Sequence, residues 1–492
     1  MGIYQLLRRN SASHVAAPRL QAFRETLLVF LLLFATYACF LQGPGWNTTP
    51  RLAMTAEFVQ HGRFSIDEYA HLTGDKSLQK GHYYSDKAPG MSLLAMPAAL
   101  IFTQFGPITS EVFGSPAWTM FAYVCTLSVS GFISAFAGAM LFSFVRRRTG
   151  RLDAALVGAL TFGLATPVFG WSTHFFGHAT TAAFLMIGFI ALDVEQRPKP
   201  LFFREVAGGI ALGLAISVEY TAAVAAVLIC GLIVVRMWIT HGLERTLWFI
   251  AYAGLGGCIG VAPALAYNTA AFGSPFSLGY SHVVGFEGMK TGFFGIGAPS
   301  VWVMTEIIYG AKRGLLWLCP AIVIMIGACF VSITKPHLRT ATVAAVSVAL
   351  WYFLYNSGYF YWDGGWSTGP RHVTPGLALL SLCLGLTWPN LPKWAKTISV
   401  IVLGLSIFIN LAATSVDMMS PSNIKNPIGN YILPAFISGA HRASLMYRLL
   451  ERDTLLLILP VLAVWTVWLL LFWRSVVRPY RGANEGANNM NQ

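Results

Sequence analysis

The chain has 492 residues, of which 55% are hydrophobic and only 11% are charged. Soluble proteins carry about 25% charged residues, whereas apolar runs close to the ~20 residues of a membrane span recur along this chain. The composition therefore excludes a soluble fold and predicts an all-α, polytopic transmembrane helix bundle. The net charge of +13 comes mostly from basic residues at the ends of apolar runs, where they set topology, so we expect no nucleic-acid partner.

Apolar runs along the chain predict about twelve membrane spans. The predicted spans are 25–43, 116–145, 154–171, 179–193, 206–218, 221–235, 247–266, 314–333, 340–355, 373–388, 397–415 and 454–473. A further run, 89–105, is predicted to lie along the membrane surface, because most Lys and Arg residues then fall in short inner segments. This map places both termini in the cytoplasm and four polar stretches on the outer face. These outer stretches are 44–88, 267–313, 356–372 and 416–453.

The first outer stretch begins with an amphipathic pattern between 51 and 60, which predicts a short helix on the membrane surface. It ends in "YSDKAPG", where Pro89 suits the first turn of a following helix. Lys87 is therefore expected at a helix N-terminus, a position that favours an anion. Asp86 is either a proton acceptor or the ion-pair partner of Lys87, and a plain surface ion pair is the structural alternative.

The second outer stretch runs from "YNTAAFGSPF" to "YGAKRGLL". Asn268 and Tyr280 are candidate substrate-binding residues in it, as is Tyr84 in the first stretch. Lys312 and Arg313 stand directly before a span on the outer face, against the usual charge bias. They either snorkel at the end of the bundle or hold a phosphate, and we favour the phosphate role.

The third outer stretch, "YFYWDGGWSTGPRHVTPG", is the densest in unusual residues. An aromatic belt at the membrane interface would explain its tyrosines and tryptophans, but not Asp363, Arg371 and His372 among so many glycines. Flat aromatic faces such as that of Trp366 suit sugar rings, and the guanidinium of Arg371 fits phosphate oxygens. We therefore predict a binding loop here.

A group of weaker candidates consists of His174, His178 and Glu219. The two histidines in "HFFGH" lie four residues apart and would share one helix face, and Glu219 could supply a third metal ligand. Hydrogen bonding within the bundle is the commoner role for such residues. No cofactor is predicted with certainty, and a divalent metal is left as an alternative.

The order of these motifs resembles the polytopic GT-C glycosyltransferases, and most of all the bacterial branch of protein O-mannosyltransferases and aminoarabinose lipid A transferases (family 39-like). "RLAMTAEFVQHGRF" is similar to the first-loop helix of that family. "YSDKAPGMSLLAMP" is similar to its Lys-Pro-Pro helix, with Ala88 in place of the first proline. "YNTAAFGSPF", "KRGLL" and "GGWSTGPRHVTP" resemble later loops of some members. The resemblance covers residues 25 to 390.

The resemblance implies a sugar donor linked to polyprenyl phosphate and used on the outer face of a bacterial inner membrane. An acceptor hydroxyl on an envelope glycan, lipid or protein would attack the anomeric carbon with inversion, while a carboxylate takes its proton. Lys87 matches the lysine that contacts the donor phosphate in the family. The family usually has an acid soon after the first span, where this chain has Asn47, which cannot act as a base.

Three carboxylates remain as candidate bases in place of Asn47. Asp86 comes first because it adjoins Lys87, although the lysine is expected to lower its pKa. Asp67 comes second because it follows the first-loop helix. Asp363 comes third because surrounding aromatic residues are expected to raise its pKa.

Residues 1–415, with outer stretches 44–88, 267–313 and 356–372, are predicted to form the GT-C-like catalytic module. Residues 416–492 would add an outer stretch, the last span and a cytoplasmic tail. Two other functions stay open: a transporter or flippase of a lipid-linked sugar, which needs no base, and a non-catalytic scaffold in envelope assembly, which Asn47 allows.

Overall fold

The structure is a computed structural model that describes residues 2–193 and 201–477. The predicted cytoplasmic tail at 478–492 lies outside the described residues. The described chain is almost entirely helical, which confirms the predicted all-α class. The helices of the N-terminal part are α1 (Gly2–Ala38), α2 (Thr48–His61), α3 (Gly90–Phe102), α4 (Pro116–Thr126), α5 (Phe132–Thr149), α6 (Leu152–Leu164), α7 (Val168–Trp171) and α8 (Gly177–Leu192).

Twelve further helices complete the bundle among the described residues. The central ones are α9 (Phe202–Val218), α10 (Ala222–His241), α11 (Leu243–Phe272), α12 (Val301–Tyr309), α13 (Leu315–Leu318), α14 (Ala321–Ser332) and α15 (Arg339–Gly358). The last ones are α16 (Ala378–Thr387), α17 (Lys393–Val416), α18 (Leu433–Ile437), α19 (Tyr447–Leu450) and α20 (Leu459–Phe472). Short 3-10 turns connect several of them, at Asp67–Leu72, Thr103–Phe105, Ser110–Val112, Gly279–His282, Glu287–Lys290, Arg371–Leu377, Trp388–Asn390 and Leu455–Ile458. Wider π-helical turns lie at Leu127–Gly131, Ile428–Ile432 and Trp473–Val477.

Each of the twelve predicted spans contains a helix of the structure. Within the described part of the chain, six helical segments are long and apolar enough to cross a membrane: Leu20–Ala38, Pro116–Thr149, Ala222–His241, Leu243–Phe272, Lys393–Val416 and Leu455–Val477. Five shorter apolar helical segments accompany them: Gly90–Phe105, Leu152–Leu164, Gly177–Leu192, Ala321–Ser332 and Ile428–Ile437. The apolar runs therefore located the helices of a polytopic bundle correctly.

Helix α2 is the predicted first-loop helix, and it ends at Gly62, whose φ of 69° lies in the left-handed region. The structure buries more of this helix than one apolar face, because every residue from Thr48 to Glu57 is buried. It packs against α3 and the strand that precedes α3. The polar residues in its first turns therefore face protein rather than solvent.

A small hairpin in the first outer stretch was not predicted. Its strands β1 (Lys76–Gln79) and β2 (His82–Ser85) pair antiparallel, and the two turn residues between them have φ values of 49° and 85°, as a two-residue type I′ turn requires. The Ser77 hydroxyl donates to the Gly279 carbonyl at 2.7 Å. The hairpin therefore joins the first outer stretch to the second, directly before Asp86.

Helices α9 and α11 approach unusually closely through glycines. A Cβ placed on Gly256 would lie 2.1 Å from the Val206 carbonyl oxygen, and one on Gly213 would lie 2.4 Å from the Gly257 carbonyl oxygen. Only glycine permits this backbone contact, as in small-residue packing of membrane helices. The contact aligns the outer ends of both helices, where the Tyr220 hydroxyl donates to the Asn268 side chain at 3.1 Å.

One amide side chain holds three distant segments together beneath the outer loops. Gln42, after α1, donates from Nε2 to the Thr173 hydroxyl at 3.0 Å and to the Thr414 carbonyl at 2.8 Å. Its Oε1 accepts from the Met418 backbone N–H at 3.1 Å. Gln42 is buried, with a relative exposure of only 5%.

Candidate functional site

The outer stretches surround one cavity of about 670 Å³, here called the outer cavity. Residues from the first, second and third outer stretches line it, together with the link between α9 and α10 and the segment after α17. Eight of the candidate residues predicted from the sequence line it: Asp86, Lys87, His178, Glu219, Tyr280, Trp366, Arg371 and His372. Most of the predicted site is therefore brought together.

Lys87 lies between two carboxylates at the edge of this cavity. Its Nζ is 2.8 Å from Oδ2 of Asp86 and 2.9 Å from Oδ2 of Asp75. Burial opposes the charge of Lys87, but the two carboxylates outweigh it and raise the pKa of the ammonium group above its usual range. The predicted Asp86–Lys87 pair exists, and Asp75 is a second partner that the sequence analysis missed.

Asp86 is a buried acid rather than a surface one. Burial raises its pKa to about 6, although the neighbouring Lys87 acts in the opposite direction. Lys87 does lower the pKa of Asp86, as predicted, but desolvation is the larger effect and the net shift is upward. Its Oδ1 is covered by protein and has no hydrogen-bond partner in the part of the chain that the structure describes.

Two arginines lie against one aromatic ring beside the cavity. The guanidinium carbon of Arg371 is 5.1 Å from the centre of the Phe176 ring, and that of Arg51 is 5.9 Å from it. Both arginines are buried, and among the described residues no carboxylate lies within ion-pair distance of either. Arg51 donates instead to the backbone and side-chain oxygens of Asn47. The cavity thus contains two guanidinium groups whose charge has no direct counter-ion.

His178 and Glu219 face each other at the cavity wall, with Nδ1 and Oε1 2.6 Å apart. Gly177 makes this approach possible, because a Cβ there would lie 2.7 Å from Cγ of Glu219. The His372 ring is 5.4 Å from the His178 ring. His174 lies behind them, and its buried Nε2 has no hydrogen-bond partner within residues 2–193 and 201–477.

The weak metal candidates are not supported by this arrangement. In the part of the chain that the structure describes, His, Cys, Asp and Glu residues form no group of three or more that could hold a metal ion. His178 and Glu219 make a pair without a third ligand. We therefore treat them as polar residues of the cavity wall.

Aromatic side chains cover the remaining cavity wall, as the third outer stretch predicted. Tyr359 packs edge-on to His372 with ring centres 5.4 Å apart, and Tyr280 packs edge-on to Tyr220 at 5.9 Å. Trp366 is 55% exposed, so its ring is free to contact a ligand. Such flat apolar faces beside hydroxyl groups suit a sugar.

Asp363 does not line the cavity. Its Oδ2 accepts from Lys312 at 2.7 Å and its Oδ1 from the Gly365 backbone N–H at 3.0 Å. Burial would raise the pKa of Asp363, but these hydrogen bonds outweigh it and lower the pKa. The expectation that aromatic neighbours would raise its pKa was therefore wrong, and Asp363 instead fixes the glycine turn of the third outer stretch.

Arg313 supports the same turn from below. It is fully buried, and its guanidinium donates to the carbonyl oxygens of Asp363 and Gly365. Neither Arg313 nor Lys312 lines the cavity, so the predicted phosphate role of this pair is not supported. Their place is structural, holding the loop that carries Arg371.

Three other predicted residues also lie outside the cavity wall. Asp67 accepts from the Tyr83 backbone N–H at 2.6 Å, next to the hairpin, which leaves it on the protein surface. Asn268 lies behind Tyr220, and Tyr84 packs against Phe272. These residues position parts of the cavity without contacting its interior.

Asp417 is a cavity residue that the sequence analysis missed. It follows the last residue of α17, and its Oδ1 accepts from the Met419 backbone N–H at 2.6 Å. Its Oδ2 accepts from the Tyr431 hydroxyl at 3.3 Å. A charged residue directly after a long apolar run was the signal that could have found it, because polar groups at membrane ends are candidates for function.

Comparisons with known proteins identify the fold. No protein-family model matches the chain, and no curated protein matches it by sequence. Among solved structures, ArnT from Cupriavidus metallidurans bound to undecaprenyl phosphate matches with a TM-score of 0.50 and 16% identity, covering 95% of this chain and 79% of that one. The apo state of the same protein matches equally well, at a TM-score of 0.50 and 16% identity over 96% of this chain and 79% of that one.

A second kind of enzyme has a similar fold. The oligosaccharyltransferase from Archaeoglobus fulgidus, tethered to an acceptor peptide, matches with a TM-score of 0.51 and 13% identity. This match covers 80% of the present chain and 55% of the archaeal one. At these identities the likeness concerns the fold alone. The chain thus shares its fold with ArnT and with the archaeal oligosaccharyltransferase, in agreement with the resemblance of its sequence motifs.

Proposed function

We propose that the protein is an integral membrane glycosyltransferase. It moves a sugar from a polyprenyl-phosphate donor to an envelope glycan, lipid or protein on the periplasmic face of a bacterial inner membrane. The fold supports this proposal, and so does a cavity that combines uncompensated cations, carboxylates and aromatic faces. These are the three kinds of group that a phosphate, a reacting hydroxyl and a sugar ring require.

The observation that carries the proposal is the pair of guanidinium groups on Phe176. A buried cation without a counter-ion is costly, and a phosphate anion bound between Arg51 and Arg371 would remove that cost. Guanidinium groups bind phosphate oxygens through charge-assisted hydrogen bonds. We therefore assign the donor phosphate to these two residues, with Lys87 beside them.

Lys87 has a different task from the arginines in this proposal. Asp75 and Asp86 already compensate its charge in the free protein, so it adds little to ground-state binding. As the bond between the sugar and the phosphate breaks, negative charge grows on the leaving group. Fixed donors next to that charge, such as Lys87, lower the barrier.

The reaction proceeds in one displacement. The acceptor oxygen attacks the anomeric carbon, the polyprenyl phosphate leaves with the bonding electrons, and the configuration inverts. A carboxylate of the cavity takes the acceptor proton. Of the three bases predicted from the sequence, Asp86 is the one that lines the cavity.

A transfer assay with purified protein in lipid nanodiscs tests the proposal. The donors are polyprenyl phosphates carrying a labelled hexose, N-acetylhexosamine or aminopentose, and the acceptor is an envelope fraction from cells that lack the gene. We expect label to enter the acceptor and free polyprenyl phosphate to appear in equal amounts. Label that crosses the bilayer on an intact donor would indicate a flippase, and neither outcome would favour a scaffold.

Arg371→Ala tests the phosphate site in the same assay. Loss of a hydrogen bond to a charged group costs about 1.5–3 kcal/mol, so transfer should fall roughly 10- to 100-fold. Arg442→Ala is the matched control, because Arg442 is exposed in the last outer stretch and pairs with Asp453. Equal activity of the two variants would contradict the phosphate role of Arg371.

A further inference from the structure

The carboxylates of the outer cavity differ in their partners. Those that line it are Asp75, Asp86, Glu219 and Asp417. Lys87 is in contact with the first two, and His178 lies 2.6 Å from Glu219. Asp417 has no Lys, Arg or His within ion-pair distance among the described residues. It is therefore the cavity carboxylate whose charge is not already engaged by a cation.

Asp417 is also held in place where the third outer stretch and the segment after α1 meet the last outer stretch. The Met419 N–H and the Tyr431 hydroxyl fix its two oxygens. Its own carbonyl accepts from the Thr368 hydroxyl at 2.9 Å, three residues before Arg371. On the other side, the next residue, Met418, is bound by Gln42, five residues before Asn47. A carboxylate fixed in this way is pre-organised for a defined substrate atom.

We infer that Asp417 is the general base that accepts the proton of the acceptor hydroxyl, in the transfer reaction proposed above. The acceptor O–H bond breaks as its oxygen forms a bond to the anomeric carbon, and the proton goes to a carboxylate oxygen of Asp417. The bond between the anomeric carbon and the phosphate oxygen breaks at the same time. Its electron pair leaves with the polyprenyl phosphate, which Arg51 and Arg371 bind.

Geometry separates Asp417 from its rival Asp86. One oxygen of Asp86 contacts Lys87 and the other is covered by protein, so a proton arriving there would first have to displace these contacts. The oxygens of Asp417 are held by a backbone N–H and a hydroxyl, which leave lone pairs for a third hydrogen bond.

The pKa values agree with this choice without deciding it. Burial raises the pKa of Asp417 above its usual range, more than the Met419 N–H and the Tyr431 hydroxyl lower it. Burial raises the pKa of Asp86 as well. A raised pKa makes either carboxylate a better proton acceptor near neutral pH, so contacts with cations are the distinguishing feature.

Asp417→Asn tests the inference in the nanodisc assay. Turnover should fall at least about 100-fold, the low end of general-base effects, while binding of undecaprenyl phosphate stays within about threefold of wild type. Asp453→Asn, an exposed acid of the same outer stretch, should keep wild-type turnover. Normal turnover of Asp417→Asn would overturn the inference. Absence of transfer by the wild type would instead contradict the proposed function.

Tyr431→Phe gives a second test that does not depend on removing the acid. The hydroxyl of Tyr431 lowers the pKa of Asp417, so its loss should raise that pKa. The acid limb of the kcat/KM profile should then move to higher pH, whereas Tyr447→Phe, outside the cavity, should leave it in place. An unmoved acid limb in Tyr431→Phe would overturn the assignment of Asp417.

Discussion

Arg51 donates hydrogen bonds to both the backbone oxygen and the side-chain oxygen of Asn47. Asn47 accepts both hydrogen bonds from Nη1 of the guanidinium and does not neutralise its charge. An aspartate at this position, as in the family that the sequence resembles, would stand at ion-pair distance from Arg51. The asparagine therefore leaves the positive charge of Arg51 available to an anion in the cavity.

Asn47→Asp should weaken binding of polyprenyl phosphate for this reason. A carboxylate on Arg51 competes with the phosphate, and a charged hydrogen bond of about 1.5–3 kcal/mol corresponds to roughly 10- to 100-fold in affinity. Binding of undecaprenyl phosphate can be followed by its stabilising effect on thermal unfolding in detergent. Asn47→Ala removes the amide without adding charge and should reduce the affinity for polyprenyl phosphate less than Asn47→Asp does. Tighter binding in Asn47→Asp would contradict the role of Arg51.

Lys87→Ala should lower stability as well as activity. The substitution leaves Asp75 and Asp86 close together and without their shared cation, and breaking one partner out of a buried pair costs about 3–5 kcal/mol. The free energy of unfolding at neutral pH should fall measurably. Lys290→Ala is the control, because Lys290 pairs with Glu287 on the surface, where such pairs contribute little. Unchanged stability in Lys87→Ala would show that Asp75 and Asp86 do not depend on the charge of Lys87.

The pH dependence of stability should reveal the raised pKa of Asp86. Its folded-state pKa of about 6 lies above the ordinary value, so its contribution to stability is complete at low pH and is lost as the pH rises through about 6. Wild type should therefore lose thermal stability relative to Asp86→Asn between about pH 4 and pH 6. If the melting temperatures of wild type and Asp86→Asn change in parallel across this pH window, the pKa of Asp86 is not raised.

The glycine contact between α9 and α11 predicts a position-specific effect. Gly256→Ala places a Cβ against the Val206 carbonyl, and overpacking of this kind costs about 1–3 kcal/mol. Gly254 lies two residues earlier on the same helix, and a Cβ there would meet no atom within 4 Å. Gly254→Ala should therefore be slightly more stable than wild type, because alanine has the higher helix propensity. Thermal unfolding of the two variants in one detergent measures the difference.

The proposed topology has a direct test. Periplasmic reporter fusions at 106–115, after α3, should be active, because α3 is proposed to stay on the outer face and both termini to lie in the cytoplasm. Fusions after α5, near 150, should give the opposite signal. A cytoplasmic signal at 106–115 would reverse the assignment of the loops.

The helical bundle was predictable because apolar runs report burial in lipid or protein directly. The hairpin at 76–85 was not, since its strands are short and polar and depend on the contact of Ser77 with Gly279. The extent of burial of α2 also escaped prediction, because its polar residues are satisfied only after tertiary contacts form.

The site was predictable in part for a related reason. Lys87 and Arg371 stand out because they are basic residues in outer, glycine-shaped stretches. The roles of Lys312 and Asp363 could not be read from the sequence, because their mutual ion pair joins residues 51 positions apart. Asp75 was missed for the same reason, since only the folded loops bring it to Lys87 and the cavity wall. Asp417 was missed although its position directly after a long apolar run is visible in the sequence.

The contacts of Gln42 have a practical consequence for redesign. Three chain segments that carry Asn47, His178 and Asp417 meet through this one amide. The tip of the last outer stretch, beyond 420, could therefore be replaced by the corresponding loop of another protein with this fold. The graft points should leave 414–418 untouched, because Gln42 joins the segments around the outer cavity through its contacts with that short strip.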